Sequence, residues 1–232
     1  MNFVRTFAVA TMWALTAAFV PTGEARAELV LSQLVVDLQP GKLARQDIEV
    51  INNGPETLYV AVEPREVVGA GTSQSSSRQD PDPEKLGLLV SPARMVLDPG
   101  KRKLLRVAAI AGSSNHERVY RVTVKPVVGQ LSSESGGLKI LVGYDVLVLV
   151  RPSAAQVRVN GTRSGKRLTL SNEGNTSVEL TGGRQCNTLG KDCQELPGGR
   201  LYAGAEKAVP IDPGRPVSYI LKLRDELIPK EF

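Results

Sequence analysis

The stretch "GLKILVGYDVLVLVRP", Gly137–Pro152, decides the fold class. It is nearly all apolar, but a membrane span needs about 20 such residues, and this run is shorter and carries Lys139, Gly143 and Asp145. Its density of valine, with Ile140, disfavours a helix, because β-branched side chains fit a pleated surface better. It reads as one long strand. Successive side chains leave opposite faces of a strand, and here both sets are apolar: Leu138, Ile140, Val142 and Tyr144 on one face, Leu147 and Leu149 on the other. A strand of a half-solvated sheet hides only one face, so the second face needs a covering partner.

Outward from this strand the chain keeps the same grammar. Short alternating runs recur after Glu28: "LVLSQLVVDL", "QDIEVIN", "TLYVAVEP", "LLRVAAI" and "RVYRVTVKPV". Asn53-Gly54, Pro99-Gly100 and the polar loop Gly69–Gly87 separate them, and no segment holds a helical period. Many short strands between Gly/Pro turns predict a β-sandwich. Two pairs of segments echo each other. "INNGPETLYV" from Ile51 resembles "SNEGNTSVEL" from Ser171, and "LDPGKRKLLRV" from Leu97 resembles "IDPGRPVSYILKL" from Ile211. Each pair sets Asn-x-Gly before one strand and Asp-Pro-Gly before a later one. The echo predicts an all-β chain of two sandwiches, residues 28–152 and 153–232, meeting at Arg151–Gln156.

Met1–Ala27 reads as a secretory signal. Arg5 supplies the positive start, Thr6–Val20 the apolar stretch, and Ala25-Arg26-Ala27 a small-x-small cleavage site before Glu28. No later hydrophobic stretch is long enough to anchor the chain, so a soluble mature protein outside the cytoplasm is expected, not embedded in a membrane. The only two cysteines, Cys186 and Cys193, fit that compartment as a local disulfide; two free thiols are the alternative. A zinc site would want four ligands, and the single histidine, His116, is far away in sequence.

The remaining chemistry is sparse. A net charge of +5 without a basic run, and an aromatic content of 4%, argue against a nucleic-acid surface. One histidine leaves few general-base options, and neither a nucleophile elbow nor a phosphate-cradling loop occurs. Asp80, Asp82 and Glu84, separated by prolines, read as a solvated acidic loop and not as a calcium site. The sequence therefore implies no enzyme, no metal and no cofactor.

The mature chain resembles the periplasmic PapD-like chaperones of chaperone–usher fimbriae. The resemblance is carried by "LLVSPARMVLDPGKRKLLRV" (Leu88–Val107), with its Ser91-to-Gly100 pattern and following Arg106, by "ERVYRVTVKPV" (Glu117–Val127), and by the apolar strand ending in Arg151-Pro152. "LTLSNEGNTSVEL" and the cysteine loop continue it; that loop and "VLSQLVVDLQPG" look closest to the class 5 (alpha) branch. The resemblance implies two immunoglobulin-like sandwiches in an L or boomerang, located in the periplasm. It also implies a function. The chaperone lends a strand to a fimbrial (pilin) subunit that lacks one, in a one-to-one complex, and delivers it to an outer-membrane usher. Strand addition of this kind is a general recognition mode, and chaperone–pilin pairing is a known instance.

On that reading Leu138, Ile140, Val142 and Tyr144 point outward and enter the subunit. Farther along, Val146, Val148 and Val150, or Leu147 and Leu149, fill the protein's own core. The Gly/Ser-rich Gly129–Gly137 supplies a flexible lead-in. The competing expectation is an ordinary central strand, covered by the partner sheet on one face and the second domain on the other. One departure stands out. The family's usual Arg and Lys, which grip the subunit's terminal carboxylate, align near Leu34–Val36 and Leu147, and neither place is basic. Arg151 is then the candidate cleft anchor. The alternative function is a two-domain structural or adhesive surface protein with a non-pilin client.

Overall fold

The structure is a computed structural model describing residues 28–39, 44–110, 112, 114–127, 141–187 and 189–232. The expected signal segment, with Ala27, and Leu138 and Ile140 of the quoted strand lie outside the described residues.

The first sandwich packs two sheets face to face. One runs in the order β1 (Leu29–Leu31), β3 (Arg45–Asn52), β8 (Arg102–Ala109), β6 (Leu88–Ser91). The other runs β2 (Val35–Leu38), β10 (Tyr144–Val150), β9 (Arg118–Val127), β4 (Leu58–Val68), with β5 (Ser76–Arg78) and β7 (Arg94–Leu97) both on β4. Period-two alternation sets which side is dry: Ile48, Val50 and Asn52 of β3 face inward, as do Leu58, Val60 and Val62 of β4. They meet Leu105, Val107, Tyr120, Val122, Val146 and Val148 in one core. The chain changes sheets at Ser32–Leu34, so β1 pairs antiparallel with β3 while β2 pairs parallel with β10. The acidic stretch forms a small capped turn. Asp82 accepts the Glu84 N–H, Pro83 opens the four-residue helix α1 (Pro83–Leu86), and Gly87 at φ 82° ends it.

The second sandwich repeats the plan with β11 (Val159–Ser164), β12 (Arg167–Asn172) and β16 (Glu206–Pro210) against β14 (Gln194–Glu195), β13 (Val178–Gln185), β17 (Val217–Leu223) and β18 (Glu226–Glu231). Strand β15 (Gly199–Leu201) also pairs with β13. Leu168, Leu170, Leu180, Val209, Val217 and Tyr219 lie in its separate core. Cys186 and Cys193 are joined as a disulfide that closes the β13–β14 hairpin.

The Asn-x-Gly echo has a physical basis. Asn52 is fully buried; its Nδ2 donates to the carbonyls of Glu56 and Leu97, and its Oδ1 accepts the Gly54 N–H. Asn172 does the same toward Thr176, Leu201 and Gly174. The second echo is out of register. Gly100 N–H bonds the Asn52 carbonyl, and its counterpart on Asn172 is Gly204, not Gly214. "LDPG" at Leu97 therefore corresponds to "LYAG" at Leu201. "IDPG" at Ile211 opens the later strand β17, and the shared Asp-Pro-Gly reflects only a shared turn chemistry.

Candidate functional site

β10 lies between β2 and β9, but β2 covers only Leu147–Val150. Leu147 and Arg151 donate their N–H groups to the carbonyls of Leu34 and Leu38. Odd-numbered residues of β10 thus turn their backbone groups to the β2 side. Above Leu34 that side carries no strand among the described residues, and the Asp145 carbonyl there receives a 3.4 Å bond from Arg121 Nη1. An uncovered edge of this kind is a template for an added strand. Leu34, Val35 and Val142 flank it as exposed apolar side chains.

Burial falls from core to solvent within a few residues, along the even positions of β10 and on to Val142 just before it. Val146 and Val148 are fully buried, Tyr144 packs against the core rim, and Val142 is 54% exposed. Tyr144 therefore departs from the outward orientation expected of it. Its ring completes the protein's own core, and its hydroxyl donates to the Leu29 carbonyl of β1 at 2.8 Å, a bond that an outward side chain would forfeit.

The odd face answers the question of the second covering partner. Leu149 is fully buried and Leu147 nearly so, clustered with Val119, Val67, Ala70 and Tyr202 of the second sandwich. Gly71 makes that approach feasible. It sits at φ 76°, and a Cβ there would stand 3.0 Å from Tyr202 Cδ2 and 3.1 Å from Ala205 Cβ. From Leu147 onward the strand is thus the ordinary central strand of the competing expectation, with the partner sheet on one face and the second sandwich on the other. Among the described residues only its N-terminal end is uncovered. The Leu147 position, basic in the family's usual clamp, is here part of the domain contact.

Arg151 is likewise committed inside the molecule. It is 5% exposed. Nε and Nη2 form a fork on Asp37, at 3.0 and 2.7 Å. Nη1 bonds Glu117 Oε2, Thr176 Oγ1 and the Ser177 carbonyl. Burial acts to lower its pKa, but the Asp37 bond and the Glu117 charge outweigh this and raise it above the ordinary value. The expectation of an anchor standing in the cleft at Arg151 is corrected: the structure places it nearly buried, as a clamp between the two sandwiches. Asn175 reinforces that clamp: Nδ2 donates to the carbonyls of Asn115 and Ala154, and Oδ1 accepts from Gln156 N–H. Sequence reasoning missed Asp37 and Glu117. A lone carboxylate inside the apolar "LVVDL" was the available signal for the first.

Asp145 carries more structure than its exposure suggests. It accepts from Arg65 Nη2 at 2.8 Å and from Thr123 Oγ1 at 3.1 Å, tying β10 to β4 and β9. Arg106, singled out in the sequence pattern, forms a two-pronged pair with Asp47 across β8 and β3, and the Arg106 hydrogen bond holds the Asp47 carboxyl below its ordinary range.

Two immunoglobulin-like sandwiches, joined through a strand with one uncovered apolar end, define the class of fold. The chain belongs to the family of pili and flagellar-assembly chaperones: the family's PapD N-terminal domain matches residues 28–156. Among solved structures it is similar to the class 5 fimbriae chaperone CfaA, with a TM-score of 0.67 at 19% identity, covering 88% of this chain and 98% of that one. It is also similar to a chain of the chaperone–tip adhesin complex of CFA/I fimbriae biogenesis, with a TM-score of 0.65 at 20% identity over 88% and 98% of the two chains. A third match is the complex of the Salmonella enterica SafA pilin with the SafB chaperone, with a TM-score of 0.60 at 16% identity over 90% and 98%. No curated protein matches the chain by sequence. Among the described residues no helix is long and apolar enough to cross a membrane.

Proposed function

We propose that this protein is a non-enzymatic periplasmic chaperone that captures a fimbrial subunit by lending it the N-terminal end of the β10 strand, in a one-to-one complex, for delivery to an outer-membrane usher. In this reading the signal is cleaved between Ala27 and Glu28, residues 28–152 form the strand-lending domain, and residues 153–232 form the second domain. The observation that carries it is that Val142, two residues before β10, is an exposed apolar side chain beside the strand end whose edge no other strand covers among the described residues. Continued through the sequence, the same face offers Ile140 and Leu138. Each such side chain contributes about 1.5–3 kcal/mol when buried in a client, before ordering costs. Backbone pairing along the open edge satisfies the client's own unpaired groups. The folding of the client is then the driving force, and no nucleotide is needed.

Val142→Asp tests the reading. It would place a carboxylate in the client's core, where an unpaired charge is very costly. The strand-rich product of a neighbouring reading frame, co-expressed in the periplasm, should co-purify with the parent and be lost at least tenfold with the variant. Unfolding of the variant alone should match the parent, because Val142 lies outside the core. Equal capture by both proteins overturns the proposal, and favours a two-domain surface protein that lends no strand.

A further inference from the structure

β2 and the vacant edge above it share one line of the sheet. The Leu34 carbonyl takes the Leu147 N–H at 2.9 Å, and the next residue of β10 with its backbone turned to this side, Asp145, meets no strand among the described residues. A strand added along the open edge can pair at Asp145 and before it. Whichever way it runs, it must leave the sheet where Leu34 begins. The corner that carries Leu34 is fastened from behind. The Ser32 N–H donates to the Glu49 carbonyl of β3 and Ser32 Oγ accepts the Glu49 N–H, both at 3.0 Å. Gln33 Nε2 donates to the Asp47 carbonyl, and Gln33 Oε1 accepts from Gln46 Nε2 at 2.9 Å. With those polar groups turned back to β3, the corner offers outward two apolar side chains, Leu34 at 49% and Val35 at 47% exposure. The nearby cations are engaged elsewhere: Arg65 and Arg121 on Asp145, Arg151 on Asp37 and Glu117.

We infer that Leu34 and Val35 form an apolar seat for the end of the client strand that pairs with β10. They are positioning residues: they fix where that strand stops, and they favour a client whose residue at that end is aliphatic or aromatic over one that is charged. The inference rests on the strand-lending function proposed above. A charged side chain set there would lose water against two aliphatic groups, with the neighbouring cations already paired. An apolar one covers surface that the free protein leaves wet. Because β3 holds the corner, the seat exists before the client arrives and needs little ordering on binding.

Cysteine trapping tests the seat. Leu34→Cys is co-expressed in the periplasm with the neighbouring-frame subunit, itself carrying single cysteines scanned along its strands. Cross-linking should concentrate at one end of a single client strand, at a position whose own residue is apolar. Leu34→Asp should lower co-purification of the unmodified subunit at least tenfold. Val96→Asp should leave it unchanged, since Val96 is comparably exposed, at 43%, on β7 at the far side of the same sheet. Val142→Cys, run against the same scan, reports strand lending separately. If Val142→Cys traps the client while Leu34→Cys traps no strand end, traps a charged one, or links only to a second copy of this chain, the seat is overturned and strand lending stands. Equal capture by Leu34→Asp and the parent overturns the seat as well; if that variant does not fold, the trapping result decides. No trapping from Val142→Cys overturns strand lending, and the seat with it. A purely structural role for Leu34 would lower thermal stability without producing a cross-link confined to one strand end.

Discussion

Replacing Arg151 by alanine should loosen the joint between the two sandwiches, and the structure sets the size of the effect. The guanidinium neutralises two carboxylates of unequal exposure: the Asp37 side chain is 26% exposed, the Glu117 side chain 1%. On truncation Asp37 can rehydrate. Glu117 cannot, and it keeps only the Thr176 hydroxyl and the Ser177 N–H as donors to Oε2. Removing one partner of a buried pair costs about 3–5 kcal/mol. The two remaining donors and the solvated Asp37 place this case near the lower end, about 3 kcal/mol. If the cost comes from the stranded charge, adding Glu117→Gln should return about 1–2 kcal/mol of it, because a neutral amide is far cheaper to bury. Urea unfolding measures both variants, and limited proteolysis at Pro152–Gln156 reports the joint directly. Arg106→Ala, which removes an exposed ion pair, is the control and should leave the urea midpoint nearly unchanged. A loss below about 1 kcal/mol for Arg151→Ala, or a double variant no more stable than the single one, would refute the reasoning.

Alkaline stability should depend on Tyr120. Its phenol is buried, donates to the Leu86 carbonyl, and has its pKa pushed up to about 12, chiefly by burial. A raised folded-state value means that stability is fully present below the unfolded value near 10 and is lost as pH climbs from there toward about 12, by roughly 2–3 kcal/mol. Tyr120→Phe should flatten that decline in chemical denaturation series run across the interval. Asn52→Ala and Asn172→Ala should each cost about 3 kcal/mol, the upper end for buried groups left unpaired, and amide exchange should place each loss in its own sandwich. Replacing both cysteines by serine should cost about 2–3 kcal/mol for so short a loop; proteolysis should find the β13–β14 hairpin opened and the first sandwich still protected. Asp145→Asn should lower the exchange protection of Tyr144 and Val146, since the carboxylate ties three strands together.

The alternation of side chains determined the all-β class, a period-two signal that follows from the geometry of the strand itself. The strand at Tyr144–Val150 was legible differently, from its β-branched density. The Asn-x-Gly echo was legible because Asn52 and Asn172 each bond a glycine two residues on. The Cys186–Cys193 pairing was legible too, since the two residues lie only seven apart. What the two apolar faces of β10 are for could not be read locally. The sequence shows that both sets of side chains want cover. Only the tertiary structure decides that Leu147 and Leu149 meet the second sandwich through Tyr202, that Tyr144 turns in to Leu29 from 115 residues away, and that Val142 is left out. Arg151 is the sharpest case. With neither of the family's usual basic positions basic here, it was the candidate cleft anchor, yet its partners Asp37 and Glu117 lie 114 and 34 residues back along the chain. Period and spacing report what a segment can present; burial and ion pairing depend on which distant segment arrives to meet it.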